Sequence, residues 1–358
     1  MKFLFVYQFC TMGGVETVLR NRLKALVAEE FKFDILFLHD FGGKSIFNDF
    51  VDSVYIINDT DKIIDLIEKE KYDCIINIDT PQILLAVNKL SYHSLSVLEV
   101  HTTYEKNLDY LKKINKTNIS AIITPSNYMV NVIKQKIPED IPIYVIPNSI
   151  GNQFLKSIDT NSMINIEKKL IGWVGRFDYI KNLKDFIEIA KYLKSSGENF
   201  EFWVVGSAAA SESVKEDFFE MAKSRGILSS LRWFPKIDYT QMPNFYKLIS
   251  NSGGCFISTS INESFGMTVL ESMASKCPVV AADVGGLTEL LDNGKCGLLY
   301  QSHDIEQAVI SINKLSTDIE LRKTIIDNAY ANVLANYTSE KVVSKWINLV
   351  KNFRSNFI

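Results

Sequence analysis

Short apolar runs of strand length alternate with helix-periodic segments along almost the whole chain, and they do so in two successive halves. In the first half the runs are Phe3–Gln8, Phe33–Leu38, Val54–Ile57, Cys74–Ile78, Ser96–Val100, Ala121–Thr124 and Ile143–Ile146. In the second they are Leu170–Val174, Phe202–Val205, Leu231–Phe234, Cys255–Ser258 and Val279–Ala281. Runs that are continuously apolar, rather than alternating with polar residues, need cover on both faces. Helical stretches such as Val15–Val27, Asp61–Glu70 and the segment after Asn182 supply that cover. The pattern predicts an α/β chain of two Rossmann-like, doubly wound parallel-sheet domains. The polar, aperiodic stretch Gly151–Glu167 predicts the connection, so one domain spans 1–150 and the other 168–338. The final helix, Ser339 to about Phe353, is amphipathic and mildly basic.

Doubly wound sheets bind ligands at the carboxyl ends of their strands, which directs attention to the loops that follow them. Bulk properties narrow the choice of ligand. With 358 residues, 47% hydrophobic and 23% charged, the chain reads as neither disordered nor a membrane bundle. A net charge of −3 leaves no basic surplus for nucleic acid. No apolar run reaches the roughly 18–20 residues of a spanning helix, and Phe3–Phe9 reads as a buried strand rather than a signal peptide. Cys10, Cys74, Cys255, Cys277 and Cys296 are far apart in sequence, and four lie in or beside apolar runs. Reduced core thiols and a cytoplasmic setting are expected.

The most informative loop lies between Ser258 and Pro278. A polar segment carries Glu263 and then Ser264-Phe265-Gly266; from Met267 the spacing turns helical, with Met267, Leu270, Met273 and Ala274 on one face. Cys277-Pro278 ends the helix. Glu263 in the loop and Glu271 in the helix are separated by seven residues, with a helix N-terminus between them that favours an anion. On spacing alone, two such glutamates read more often as solvated surface. As a site, carboxylates on either side of a phosphate-sized anion suit hydroxyls on either side, the layout of ribose, diphosphate and hexose in a nucleotide sugar.

A second loop, Gly175-Arg176-Phe177-Asp178-Tyr179-Ile180-Lys181-Asn182, runs from a strand to a helix start that Asn182 caps. Arg176 and Lys181 there suit a diphosphate, although loop cations are commonly surface charges. In the first half, Met12-Gly13-Gly14 joins the first strand to the first helix, either as an open anion site or as a simple turn. Glu16 reads equally as an electrostatic group toward a ligand or as a complement to the helix dipole. His101 follows the strand Ser96–Val100, where it faces a ligand or stands as a satisfied polar residue. The triplet Asp59-Thr60-Asp61 looks like a metal–diphosphate signature, but its place before a helix reads as capping, and no His/Cys/Asp cluster has zinc spacing.

Taken together, Glu263-Ser264-Phe265-Gly266 with Glu271-Ser272-Met273-Ala274, and Gly175-Arg176 with Lys181-Asn182, resemble the E-x7-E and G-R-x4-K-[GN] segments of retaining GT-B glycosyltransferases of family 4. Asp283-Val284-Gly285-Gly286-Leu287-Thr288-Glu289 resembles that family's Gly-Gly-x-x-Glu segment. The resemblance covers nearly the whole chain. It implies two domains facing across a cleft, with the last helix, 339–358, crossing back to an acceptor-side first domain. It implies retaining transfer of a hexose or N-acetylhexosamine from a nucleotide diphosphate sugar, a UDP-sugar first, to an acceptor hydroxyl, with no further cofactor and no metal. The setting it implies is bacterial surface glycan, glycolipid or glycoprotein synthesis, with a small metabolite as another acceptor.

The resemblance also assigns roles. His101, Arg176, Lys181 and Glu263 would serve the reaction centre. Gly13, Gly14, Lys236, Ile237, Phe265, Gly266, Met267 and Glu271 would hold the donor. In place of the family's second glycine after Gly206 stands Ser207-Ala208-Ala209-Ala210, which leaves donor contact at that loop open. The alternative function is a non-catalytic glycosyltransferase-like partner that binds acceptor or stabilises an active subunit. A further reading sets the last helix against the inner face of a membrane through Lys341, Lys345, Lys351 and Arg354 with Trp346 and Phe353.

Overall fold

The computed structural model describes residues 2–11, 14–27, 31–47, 50–51, 53–92, 94–156, 167–197, 199–206 and 212–357, with the side chains of 353–357 excepted. Met12, Gly13, residues 157–166 of the expected connection and residues 207–210, all singled out in the sequence, lie outside that set. The chain divides into two compact units: Met1–Ser149 with Ser339–Ile358, and Ile150–Thr338.

Unit 1 holds strands β1 (Lys2–Cys10), β2 (Lys32–Asp40), β3 (Ser53–Ile56), β4 (Cys74–Ile78), β5 (Leu95–Glu99), β6 (Ala121–Thr124) and β7 (Ile143–Val145). They pair in the order β3-β2-β1-β4-β5-β6-β7, every pairing parallel. Its helices are α1 (Gly14–Val27), α2 (Thr60–Glu70), α3 (Gln82–Val87) and α4 (Asn127–Lys134). Unit 2 holds β8 (Lys169–Val174), β9 (Phe200–Val205), β10 (Leu231–Phe234), β11 (Cys255–Ser258), β12 (Val279–Ala282) and β13 (Leu298–Tyr300), in the order β10-β9-β8-β11-β12-β13, again all parallel. Around them lie α5 (Leu183–Ser195), α6 (Glu212–Ser224), α7 (Met242–Asn251), α8 (Met267–Ala274), α9 (Gly286–Leu290), α10 (Ile305–Thr317) and α11 (Ile319–Asn336). The three-residue β13 is too short to stand out in the sequence.

Successive strand residues point to opposite faces, and each sheet therefore builds two cores. In unit 1, Phe3, Phe5 and Ile35 belong to one core, and Leu4, Val6 and Leu36 to the other. In unit 2, Leu170, Phe256 and Val279 face one side, and Ile171, Cys255 and Val280 the other. All five cysteines are buried and unbridged, and burial pushes the Cys10 and Cys277 thiols up to about 11. Strand order reverses direction at β1/β4 and again at β8/β11. Those are the switch points where open α/β sheets leave a crevice.

The last helix, α12 (Ser339–Phe357), belongs to unit 1. Val342, Val343, Trp346, Ile347, Leu349 and Val350 enter the core beside Phe3 and Phe5. Trp346 is fully buried, with ring centroids 5.2 Å from Phe3 and 6.0 Å from Phe5. This corrects the membrane-surface reading of the helix: its tryptophan is a core anchor whose truncation to alanine would remove about 3–5 kcal/mol. No described helix is long and apolar enough to cross a membrane. In the Asp59-Thr60-Asp61 triplet, the Asp59 carboxylate accepts from the Lys62 amide at 2.9 Å and caps α2.

Candidate functional site

In unit 2 the loops that follow β8 and β11, on either side of the switch point, are tied together by side chains. Lys181 Nζ donates to Glu263 Oε1, and Ser260 Oγ donates to the same oxygen at 2.8 Å. Both members of the ion pair are largely shielded. The β8 loop is organised by Asp178: its Oδ1 accepts from the Lys181 amide at 3.0 Å and its Oδ2 from Arg176 Nε at 3.1 Å. Arg176 keeps 61% of its side chain exposed. Asn182, at φ 48, caps α5 by accepting from the Asp185 amide. Thr259 Oγ1 reaches the carbonyls of Lys181 and Asn182, each at 3.0 Å, and accepts from buried Trp173 Nε1 at 3.0 Å. The cation loop is thus stitched to the strand that leads into Glu263.

Below Glu263 the chain turns into α8 through Gly266, at φ +100, where an added Cβ would come within 2.3 Å of Leu287 Cδ2. The first-turn amides of α8 have no acceptor within the helix and favour an anion. Gly285 closes the loop from the other side. At φ +55 its missing Cβ would lie 2.2 Å from the Glu263 carbonyl oxygen, which also accepts from the Gly286 amide at 2.8 Å. The Gly-Gly segment therefore seats the Glu263 backbone. Phe265 is buried, with its ring centroid 5.7 Å from that of Tyr337, and Met267 is half-buried.

Glu271 sits differently from its partner in the sequence motif. It is 6% exposed, and its Oε2 accepts from the buried Tyr246 hydroxyl at 3.0 Å. Burial pushes its carboxyl up to about 8, and the Tyr246 hydrogen bond offsets only part of that. α8 is buried almost all round, where the sequence spacing predicted a single apolar face. Lys236 is exposed after β10, while Ile237 packs at the edge of the adjoining core.

Unit 1 gathers charge at the carboxyl ends of β4 and β5. Glu99 ends β5; one carboxylate oxygen pairs with Arg22 of α1 and the other stands 3.4 Å from His101 Nε2. Asp79, at φ 40 just after β4, accepts from the His101 amide at 2.8 Å, the Thr102 amide at 3.0 Å and the Tyr110 hydroxyl at 3.2 Å. The two carboxyls are pushed in opposite directions. Burial resists the charge on Glu99, yet Arg22 and His101 hold it below the usual carboxylate range. At Asp79 burial outweighs His101 and the three donors, and the carboxyl is raised. Gly14 opens α1, and Glu16 is buried with its carboxylate accepting from the Thr11 amide at 2.8 Å and from the Thr11 hydroxyl. That fixes Glu16 as a brace for Thr11, just after β1.

Within unit 2 the structure joins Lys181, Glu263 and, through Asp178, Arg176; Glu271 stands apart in the core. Sequence reasoning passed over Asp178, Ser260, Tyr246, Asp79, Glu99 and Arg22. Two of these carried a signal: Asp178 lies three residues before Lys181, the spacing of a side chain turning back on its own loop, and Glu99 interrupts an apolar strand. Tyr246, inside an amphipathic helix, carried none.

Residues 156–332 match the family model for glycosyl transferases group 1. The matched residues all lie within unit 2. A probable sucrose-phosphate synthase of Thermosipho melanesiensis is 28% identical over 58% of this chain and 47% of its own length. A poly(ribitol-phosphate) alpha-N-acetylglucosaminyltransferase of Staphylococcus aureus is 25% identical over 70% of this chain and 49% of its own. The chain thus spans about half the length of these two relatives, whereas the capsular polysaccharide biosynthesis glycosyltransferase CapM of S. aureus is matched over 76% of its length at 25% identity. Among solved structures, Anabaena HepE in complex with UDP and glucose superposes with a TM-score of 0.85 over 98% of this chain and all of that one, at 18% identity. TarM superposes at 0.78 over 97%, with 14% identity. These likenesses establish the fold: two Rossmann-like parallel sheets of the GT-B kind.

Proposed function

We propose that the chain is a retaining, metal-independent glycosyltransferase. It transfers a hexose or N-acetylhexosamine from a nucleotide diphosphate sugar, with a UDP-sugar favoured, to a hydroxyl of a surface glycan, glycolipid or glycoprotein. The observation that carries this reading is the Lys181–Glu263 pair, braced by Ser260 and Asp178 at the β8/β11 switch point. An anionic diphosphate draws Lys181 Nζ toward itself, joined by the half-exposed Arg176. Glu263 Oε1 is then released to accept from a sugar hydroxyl while Ser260 keeps it aimed. The two cations stabilise the charge that grows on the departing diphosphate, the task a metal performs in other sites. Glu271, deep in α8, takes the ribose hydroxyls. Among the assigned residues no carboxylate is set aside as a nucleophile, and the reading is same-face attack with the leaving phosphate accepting the acceptor's proton.

UDP in the HepE structure, and relatives named for sucrose-phosphate, N-acetylglucosaminyl and capsular polysaccharide synthesis, support a nucleotide-sugar donor and a glycan acceptor. The test is a panel of UDP-, GDP- and ADP-sugars scored for binding and slow hydrolysis, followed by NMR of the product anomer. Inverted product, or no binding of any nucleotide sugar, overturns the proposal.

A further inference from the structure

His101 is the one sequence-derived site residue whose ring is held by a buried charge. Its side chain is 9% exposed. Nε2 faces Glu99 Oε2 at 3.4 Å, and the peptide on its N-terminal side is fixed by Asp79. Among the described residues Nδ1 meets no hydrogen-bond partner. Glu99 in turn is 1% exposed, and its other oxygen is taken by Arg22, also 1% exposed. A carboxylate facing a buried guanidinium stays ionised, and an ionised carboxylate only accepts hydrogen bonds. The ring nitrogen that faces it must therefore carry the proton. The opposite tautomer would set the Nε2 lone pair against a carboxylate oxygen in a water-poor site, a repulsive contact with no compensating bond.

We propose that Glu99 is a positioning residue that holds a proton on His101 Nε2, so that Nδ1 is the ring nitrogen turned to a saccharide hydroxyl at the carboxyl end of the unit 1 sheet and, in the neutral ring, accepts from it. The saccharide rests on the function proposed above; the tautomer does not. Asp79 completes the device by holding the backbone from which the ring projects, with Tyr110 closing its second oxygen. Arg22 extends it to α1, the helix that opens at Gly14.

The direct test is 15N–1H correlation of the imidazole nitrogens of the whole chain at alkaline pH. There are four histidines, and a His101→Ala spectrum identifies the relevant pair of signals. Wild-type His101 should show a protonated Nε2 and a bare Nδ1. Protonated Nδ1 in wild type overturns the proposal without any variant. Glu99→Gln places a side chain that both donates and accepts opposite Nε2, so the tautomers should mix. Loss of the acceptor should lower kcat/KM by about tenfold, the scale of the net contribution of one hydrogen bond. An unchanged tautomer in Glu99→Gln also overturns it. Should the unpaired Arg22 prevent folding, Arg22→Met with Glu99→Gln removes both charges and allows the same measurement. If no nucleotide sugar is turned over by wild type, the proposed function fails while the tautomer result still decides this inference.

Discussion

Replacing Glu271 with glutamine should stabilise unit 2, and by more at neutral than at acid pH. The carboxyl is pushed up to about 8 from an ordinary 4.5, mainly by burial. Between those two values the folded chain keeps a proton that the unfolded chain has released. The folded state therefore binds more protons, and stability falls as pH rises through that window. Carrying the shift through the linkage relation gives a penalty of about 1 kcal/mol at pH 5 and about 3 kcal/mol at pH 7. Glutamine does not titrate, keeps an acceptor for the Tyr246 hydroxyl and has nearly the same volume. The gain of Glu271→Gln over wild type should therefore grow by about 2 kcal/mol between pH 5 and pH 7. Urea unfolding at the two pH values, followed by tryptophan fluorescence, measures it. Trp173, Trp203 and Trp233, three of the four tryptophans, lie in unit 2. A gain that is the same at both pH values, or a variant less stable than wild type at pH 7, refutes the assignment of a neutral buried carboxyl.

Further outcomes follow from the same geometry. Arg176→Ala and Lys181→Ala should each lower kcat by about a hundredfold or more, as loss of a transition-state electrostatic stabiliser does elsewhere, and a double variant with near-normal turnover sinks their role. Glu271→Ala should weaken UDP binding measured by calorimetry, whereas Glu263→Ala should leave UDP binding intact and impair sugar transfer; the reverse pattern exchanges their roles. If ribose hydroxyls donate to Glu271, nucleotide binding favours its charged form, so binding near pH 7 should release a proton and tighten as pH rises toward 8. Calorimetry in buffers of different ionisation enthalpy reads this directly, and binding without proton release counts against it. Gly285→Ala should destabilise unit 2 by about 1–3 kcal/mol and lower turnover, because a Cβ at φ +55 meets the Glu263 carbonyl at 2.2 Å. Unchanged unfolding and kinetics would show that the Gly-Gly segment does not set the Glu263 loop.

The parallel sheets were legible because a strand covered on both faces must be apolar at every position, and that leaves a long signal in the chain. β1, β4 and β8 are such strands. β13 is not legible, since three residues at a sheet edge carry little pattern. The loops that bear Lys181 and Glu263 were legible because they end strands, and strand ends are where ligands sit. Their braces were harder to read. Asp178 is local to its loop, but Ser260 acts through the fold of a polar turn, and Tyr246 reaches Glu271 from a helix 25 residues upstream. A contact of that kind is set by helix packing and has no spacing of its own. Glu16 does stand in the first turn of α1 as expected, but nothing in the spacing showed that its carboxylate takes the Thr11 amide and hydroxyl.

The buried charges separate function from stability. A group kept only to hold the fold would be expected in its favoured ionisation state with its bonds filled. Glu271 is instead held near 8 with one hydrogen bond, a state that destabilises the neutral-pH protein. Glu99 is ionised in the core of unit 1, and replacing a buried ion pair by well-packed apolar residues is often neutral or stabilising. Lys181 and Glu263 neutralise one another where either could instead be solvated. Lys181, Glu263 and Glu271 stand on the loops and the helix beside the β8/β11 switch point, and Glu99 stands at the carboxyl end of β5. Such placement makes sense when a ligand completes the bonding that the protein leaves unfinished: an anion for Lys181, and hydroxyls for Glu263 and Glu271. On the proposed function, Glu271 is held in reserve at a cost in stability that ligand binding would return.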